Sequence, residues 1–205
     1  MAIGESIKKA LAKVGSAYTI IRDAGNISGE YAIYDYVQQA TKPISLEHFR
    51  KADLSYDTDV VVGDVIDFEE TSERFLIMNM LPDLFKNDTI VYGGIFYKCN
   101  ISSGELLRPS GEVWGSDYHK ETQWEGIKDN CDAMQVAALY GNSLEDDEEL
   151  ALLQLRKDEL YIAHSIGVQS MDRFQPVSGE YYQVSTVETR RFPGVDVAIL
   201  EEDHR

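Results

Sequence analysis

The chain is short of positive charge. Its 205 residues hold 19 Lys and Arg against 36 Asp and Glu, a formal net charge of −17. Neutralising a phosphate backbone needs Lys and Arg in excess, so binding nucleic acid through a basic surface is excluded, and anionic membranes are disfavoured. An acidic surface is compatible with simple solubility, with a wall that repels DNA, or with a DNA mimic. Cysteine is scarce as well. Cys99 and Cys131 stand in unlike contexts with no CxxC and no neighbouring His, which argues against a disulfide scaffold or zinc site and for a reducing compartment. No apolar run approaches the roughly twenty residues of a membrane span. The N-terminus lacks the apolar centre and cleavage site of a signal peptide, which points to the cytosol of the cell that makes the chain.

Catalytic motifs are missing too. There is no GxSxG elbow, no Gly-rich phosphate loop and no HExxH, and His48, His119, His164 and His204 are scattered without paired spacing. Asp64 and Asp172 sit beside turns, where Asp is favoured for local backbone hydrogen bonds rather than for chemistry. The acidic run Glu145–Glu149 lacks the alternating spacing and glycine of a calcium loop, and reads as a solvated helix start after Ser143. No catalytic residue, cofactor or metal is expected, and no enzymatic activity.

What is present is β character. Hydrophobic residues make up 43%, with 12 Tyr and 7 Phe, enough for a real core. The stretch from Val60 to Cys99 contains three apolar runs, Val65–Phe68, Arg74–Met78 and Thr89–Tyr97, separated by Glu69-Glu70-Thr71-Ser72 and Lys86-Asn87-Asp88. Short runs of β-branched and aromatic residues bounded by turn residues predict an antiparallel meander, and Gly93-Gly94 a bulge or bend. A similar outline returns near the C-terminus. Glu73 and Phe85 match Glu180 and Phe192 at a single offset of about 107 residues. Arg50-Lys51 and Arg156-Lys157 precede the two stretches. A tandem duplication and a chance likeness of two strand–turn–strand units both remain open. The fold class expected is mainly β (α+β), a small antiparallel β-barrel or meander with a short N-terminal helix and a few peripheral helices. The domain reading is 1–15 for the helix, 16–110 for a barrel-like domain, 111–160 for a connecting helical or loop segment, and 161–205 for a second meander.

Met1–Val14 carries Ile3, Ile7, Ala10, Leu11 and Val14 on one helical face, with Lys8, Lys9 and Lys13 elsewhere and Gly15 as its stop. So short a helix gains little alone, and its apolar face must find a partner, in its own domain or in a neighbouring subunit. Ala17–Arg22 reads as a first strand, 38–43 as an exposed loop, Ser45 as a helix cap, and Asn130–Tyr140 as weakly helical. Between them, Ile101–Asp117 forms a hairpin or irregular excursion. Trp114, Tyr118 and Trp124 gather near it as further interface candidates.

Finally, a strand ending in Val14-Gly15-Ser16-Ala17-Tyr18-Thr19-Ile20-Ile21-Arg22-Asp23, then Val60–Phe68, then Glu73–Met80, resembles the head–tail joining proteins of tailed phages, including head-completion or stopper proteins. Their pattern of Gly-Asp, a polar stretch and a Tyr/Phe-x-Val strand falls here on Gly63, Asp64, Phe75 and Ile77. The second copy keeps Asp172, Tyr182 and Val184 but has Ser170 in place of the glycine. The resemblance covers about half the chain. It implies a small β-barrel assembling as a cyclic ring on a portal or adaptor, with tail proteins beyond it, in the host cytoplasm during assembly and then in the virion neck. DNA would pass without specific binding, no membrane would be involved, and channel loops would fall near Glu69, Glu70, Glu105 and Arg108. Two rivals stand beside it: an acidic DNA-mimic inhibitor of a DNA-processing enzyme, and an enzyme or sugar-binding module without recognised motifs.

Overall fold

The computed structural model describes residues 3–36, 48–114, 118–138 and 157–203. The chain is mainly β. Among the described residues one α-helix, α1 (Ile3–Val14), precedes twelve strands: β1 (Ser16–Ile21), β2 (Ile27–Tyr36), β3 (Phe49–Ser55), β4 (Val65–Phe68), β5 (Glu73–Phe85), β6 (Asp88–Lys98), β7 (Ile101–Trp114), β8 (Lys120–Ala138), β9 (Lys157–Ala163), β10 (Arg173–Gln175), β11 (Tyr182–Phe192) and β12 (Val195–Glu202). They close into two antiparallel barrels, β1-β2-β3-β6-β5-β4 and β7-β8-β9-β12-β11-β10. The second order repeats the first strand for strand. Closure leaves neither sheet with a bare edge.

Each barrel is two three-stranded meanders joined by a link that crosses one barrel end, residues 56–64 in the first and 164–172 in the second. Both links are held by the same device. Arg22, just past β1, donates from Nε and Nη2 to the two Asp64 carboxylate oxygens at 2.8 and 2.5 Å, and from Nη2 to the Asp59 carbonyl at 2.8 Å. Arg108, in the matching place on β7, donates to Asp172 at 2.8 Å twice and to the Gly167 carbonyl at 2.9 Å. Each carboxylate also accepts a backbone N–H from three residues upstream, that of Val61 or of Gln169, at 2.8 Å. A planar guanidinium suits this two-pronged contact with a carboxylate. The Asp residues therefore fold the backbone, as their turn positions suggest.

The two cores differ. The first barrel encloses Tyr18, Phe68, Phe75 and Phe96 with Ile20, Leu54 and Ile66. The second encloses Leu106, Ala133, Leu160, Ile162, Val184 and Leu200 around one fully buried ring, Phe174, with Tyr182 partly buried against them. By register, Ile20 faces Ile66 as Leu106 faces Phe174, so Gly104 stands where Tyr18 stands in the first barrel. A side chain at Gly104 would press on the Phe174 ring at 2.7 Å. Tyr18 is lost, and Phe174 fills the space.

A third apolar cluster joins the barrels. Phe49, Val65, Leu76, Met78 and Tyr97 pack on Met134, Tyr161, Ala163, Val195 and Val197. Arg74 donates to both oxygens of Asp132 across this junction, at 2.8 and 3.1 Å. Lys128 pairs with Asp23 nearby.

Several expectations need correction. The segment 111–160 is not a connector, for β7 and β8 carry the second barrel through it and the barrels divide near Cys99 and Asn100. Within Asn130–Tyr140 the chain is strand, not helix, up to Ala138. Cys131 through Met134 are all buried, because β8 faces its own barrel core on one side and the first barrel on the other. Burial on both faces erases the alternation that marks a strand. Of the expected peripheral helices, the described residues show a 3-10 turn at His164–Ile166 and a 3-10 residue at His48. Gly93-Gly94 carries no bulge. Its register with β3 is unbroken, and Gly94 is bare because a side chain there would strike the Phe96 ring. The expectations for 38–43, Ser45, Ser143–Leu155 and His204 lie outside the described residues.

Candidate assembly surface

Among the described residues, no group of three or more His, Cys, Asp or Glu could hold a metal. Both thiols are free and shielded. Burial pushes the Cys131 thiol up to about 12, which keeps it protonated and poorly nucleophilic at neutral pH. A cleft of about 620 Å³ lies between the barrels, bordered by Arg22, Arg74 and Lys128, but each of these cations is already engaged by an Asp. The features that call for a partner are apolar, and they sit elsewhere.

The first is α1. It lies against β2, β3 and β6, with Gly4 pressed on the Tyr56 ring and Gly15 against the Ala32 carbonyl. Leu11 is 3% exposed, whereas Ile3 is 44% and Val14 73% exposed. Ile7 is half-buried and Ala10 open. The helix therefore buries only part of the apolar face that its sequence sets out. Lys8 reaches Asp57 at 2.6 Å, a contact that raises the pKa of this already cationic group.

The second is the β5–β6 hairpin. Lys86 and Asn87 both take positive φ, the geometry of a two-residue turn matched to strand twist. Leu81, Leu84 and Phe85 near its tip are exposed, Leu84 at 61%. Between tip and helix runs a groove of about 530 Å³ lined by Ile3, Tyr56, Phe85 and Ile90. Lys86, Asp88 and Thr89 border the same groove, and an apolar patch rimmed by polar residues marks an interaction site more often than isolated exposed residues do.

The aromatic trio does not cluster. Trp114 (71% exposed) and Tyr118 (87%) lie at the far end of the β7–β8 hairpin, and Lys120 approaches the Trp114 ring at 5.7 Å. Trp124 is half-buried opposite Pro109, with the Arg173 guanidinium 3.9 Å from its ring centre. The channel-loop candidates also part company. Glu69 and Glu70 do form an exposed turn between β4 and β5. Glu105 is an exposed strand residue paired with Gln175, not a loop. Arg108 is the cation of the second link staple, so it is not a channel-loop residue. What sequence reasoning missed was the Arg22/Arg108 equivalence, whose only signal is the shared ending of Ile20-Ile21-Arg22 and Leu106-Leu107-Arg108.

No helix among the described residues is long and apolar enough to cross a membrane. No protein-family model matches the chain, and no curated protein matches it. Solved structures of MrkH from K. pneumonia align at low similarity. The apo form shows 8% identity over 99% of this chain and 84% of that one, TM-score 0.21. The MrkH–c-di-GMP complex shows 7% identity over 100% and 87%, TM-score 0.16. Likeness at this level carries no argument about fold or function.

Proposed function

We propose that the protein is a structural component of a tailed-phage neck, assembling as a ring between portal or adaptor and tail that closes or extends the DNA channel and lets the genome pass at ejection. The observation that supports it is the apolar surface left open by α1 and the β5–β6 hairpin on an otherwise strongly acidic chain. Apolar patches on a rigid barrel suit subunit assembly, and head-to-tail contacts between identical subunits close into rings. An acidic lumen repels packaged DNA and keeps its passage free of tight contacts. The barrels supply rigid walls, and the work is mechanical rather than chemical.

The test is to mix the purified chain with portal rings and image the product by negative-stain electron microscopy. Stoichiometric density below the portal, and the same density in virions carrying a tag on this chain, is the expected result. Absence from virions together with inhibition of a nuclease or polymerase would replace the neck reading with the DNA mimic.

A further inference from the structure

Within the chain, one barrel already docks on the other, and the parts used for that contact recur unoccupied. The β11–β12 hairpin places Phe192 in the junction, and its turn residue Gly194 lies against the backbone of Val62 and Gly63 in the first barrel's link. The face of the second barrel that receives the first is built from β8, β9 and β12. The same three strands in the first barrel are β2, β3 and β6, the face that α1 covers in part. There Phe85 precedes the Lys86-Asn87 turn as Phe192 precedes Pro193-Gly194, but it lines the open groove instead of a junction. The second barrel's link offers Met171, and it is this residue, not the expected Ser170, that stands in the place of Gly63: it takes positive φ as Gly63 does and makes the equivalent hydrogen bond to β11. Gly63 is covered by Gly194, whereas Met171 is 49% exposed and Tyr181 40%.

We propose that two copies associate head to tail by repeating this internal contact. The β5–β6 hairpin and α1 groove of one copy would receive the Met171 and Tyr181 end of the next copy's second barrel. Glycines at 63 and 194 allow backbone contact inside the chain. Met171 and Asn87 force the contact between copies to run through side chains, so it is looser and reversible. The interface is heterologous, which makes chains of copies that close when the rotation permits.

The test uses the full chain in analytical ultracentrifugation. Wild type should gain mass with concentration. Phe85→Asp and Met171→Asp should each sediment as monomers, while an equimolar mixture of the two should give a heterodimer that grows no further. That mixture retains one intact groove and one intact Met171 end. Leu84→Asp and Tyr181→Asp form a second pair should either first variant misfold by circular dichroism. A wild type that stays monomeric, variants that assemble like wild type, or a mixture that does not pair would each overturn the contact. Self-association of this kind without portal binding would remove the neck reading and leave the contact standing. Portal binding by a chain whose variants assemble like wild type would do the reverse.

Discussion

The two barrels share a strand order and a link staple, yet the same hairpin does opposite things in each. In the second barrel, Arg191 and Phe192 turn inward. Arg191 meets the buried Glu159 at 3.1 Å and approaches the Tyr161 ring at 6.0 Å, and Phe192 packs on the junction core. In the first barrel, Leu84 and Phe85 occupy the matching places and point at solvent. A conserved backbone plan thus fixes where a hairpin ends, and side chains decide whether it seals an internal junction or offers an external one. The cores teach the same lesson, since an aromatic set and an aliphatic set fill equivalent barrels once one ring is exchanged for a glycine and another is added across from it.

The largest expected effects lie in the two cores. Phe75→Ala removes a ring packed edge-on to Phe68 at 5.6 Å, and Phe174→Ala removes the fully buried ring of the second core. Each should cost about 3–5 kcal/mol. Because a shared apolar cluster ties the barrels together, urea unfolding followed by fluorescence should show one transition that moves in both variants. Two transitions, each sensitive to one variant, would mean that the barrels unfold independently.

The staples come next. Asp172→Ala leaves the Arg108 guanidinium and the Gln169 N–H without their carboxylate, and because Arg108 is 30% exposed the loss should be about 1–3 kcal/mol. Asp64→Ala should cost less, because Asp64 is the more exposed of the two carboxylates, at 8% against 1%. Equal losses in chemical denaturation would show that burial does not set the difference.

How much of this was legible beforehand follows from where each residue's signal lies. Local signals were read correctly: the amphipathic register of α1, the turn at Lys86-Asn87, and the strand runs around Val65, Phe75 and Ile90. The offset linking Phe85 to Phe192 marks the ends of equivalent strands. What failed was long-range. Cys131–Met134 lost its alternation because two bodies bury it, and Arg108 looked like a loop cation because its partner Asp172 is 64 residues away. Trp114 and Trp124 are near in sequence, but they sit on opposite strands of one hairpin at different rungs. The assembly surface was half visible. Sequence shows that α1 has an apolar face, but not that the face is only partly covered.

Arg74 tests the junction that barrel comparison depends on. Burial raises the pKa of Asp132 despite the opposing hydrogen bond from Arg74. A carboxyl with a raised folded-state pKa binds protons more readily folded than unfolded, so its contribution to stability falls as pH rises from the ordinary Asp range through that raised pKa. Arg74→Met removes the compensating cation. It should cost about 1–3 kcal/mol at neutral pH. The deficit should shrink toward pH 4 as Asp132 takes up its proton. A deficit that stays constant in thermal scans between those pH values would show that the pair does not carry charge across the junction.

The smallest effect is the most diagnostic for the hairpins. Arg191→Ala takes one partner from buried Glu159, but the arginine is 40% exposed and solvent screens it, so the loss should be about 1 kcal/mol. Leu84→Ser, at the matching place in the first barrel, changes a side chain that already faces water and should leave stability within about 0.5 kcal/mol. Its effect belongs to association instead. If the open hairpin is the external counterpart of the sealed one, Leu84→Ser lowers the sedimenting mass at high concentration while its unfolding curve overlays that of wild type. Arg191→Ala does the reverse, shifting the curve and leaving the mass unchanged. Should Leu84→Ser destabilise the monomer as much as Arg191→Ala does, the first hairpin is part of its own barrel's structure and the contrast between the two disappears.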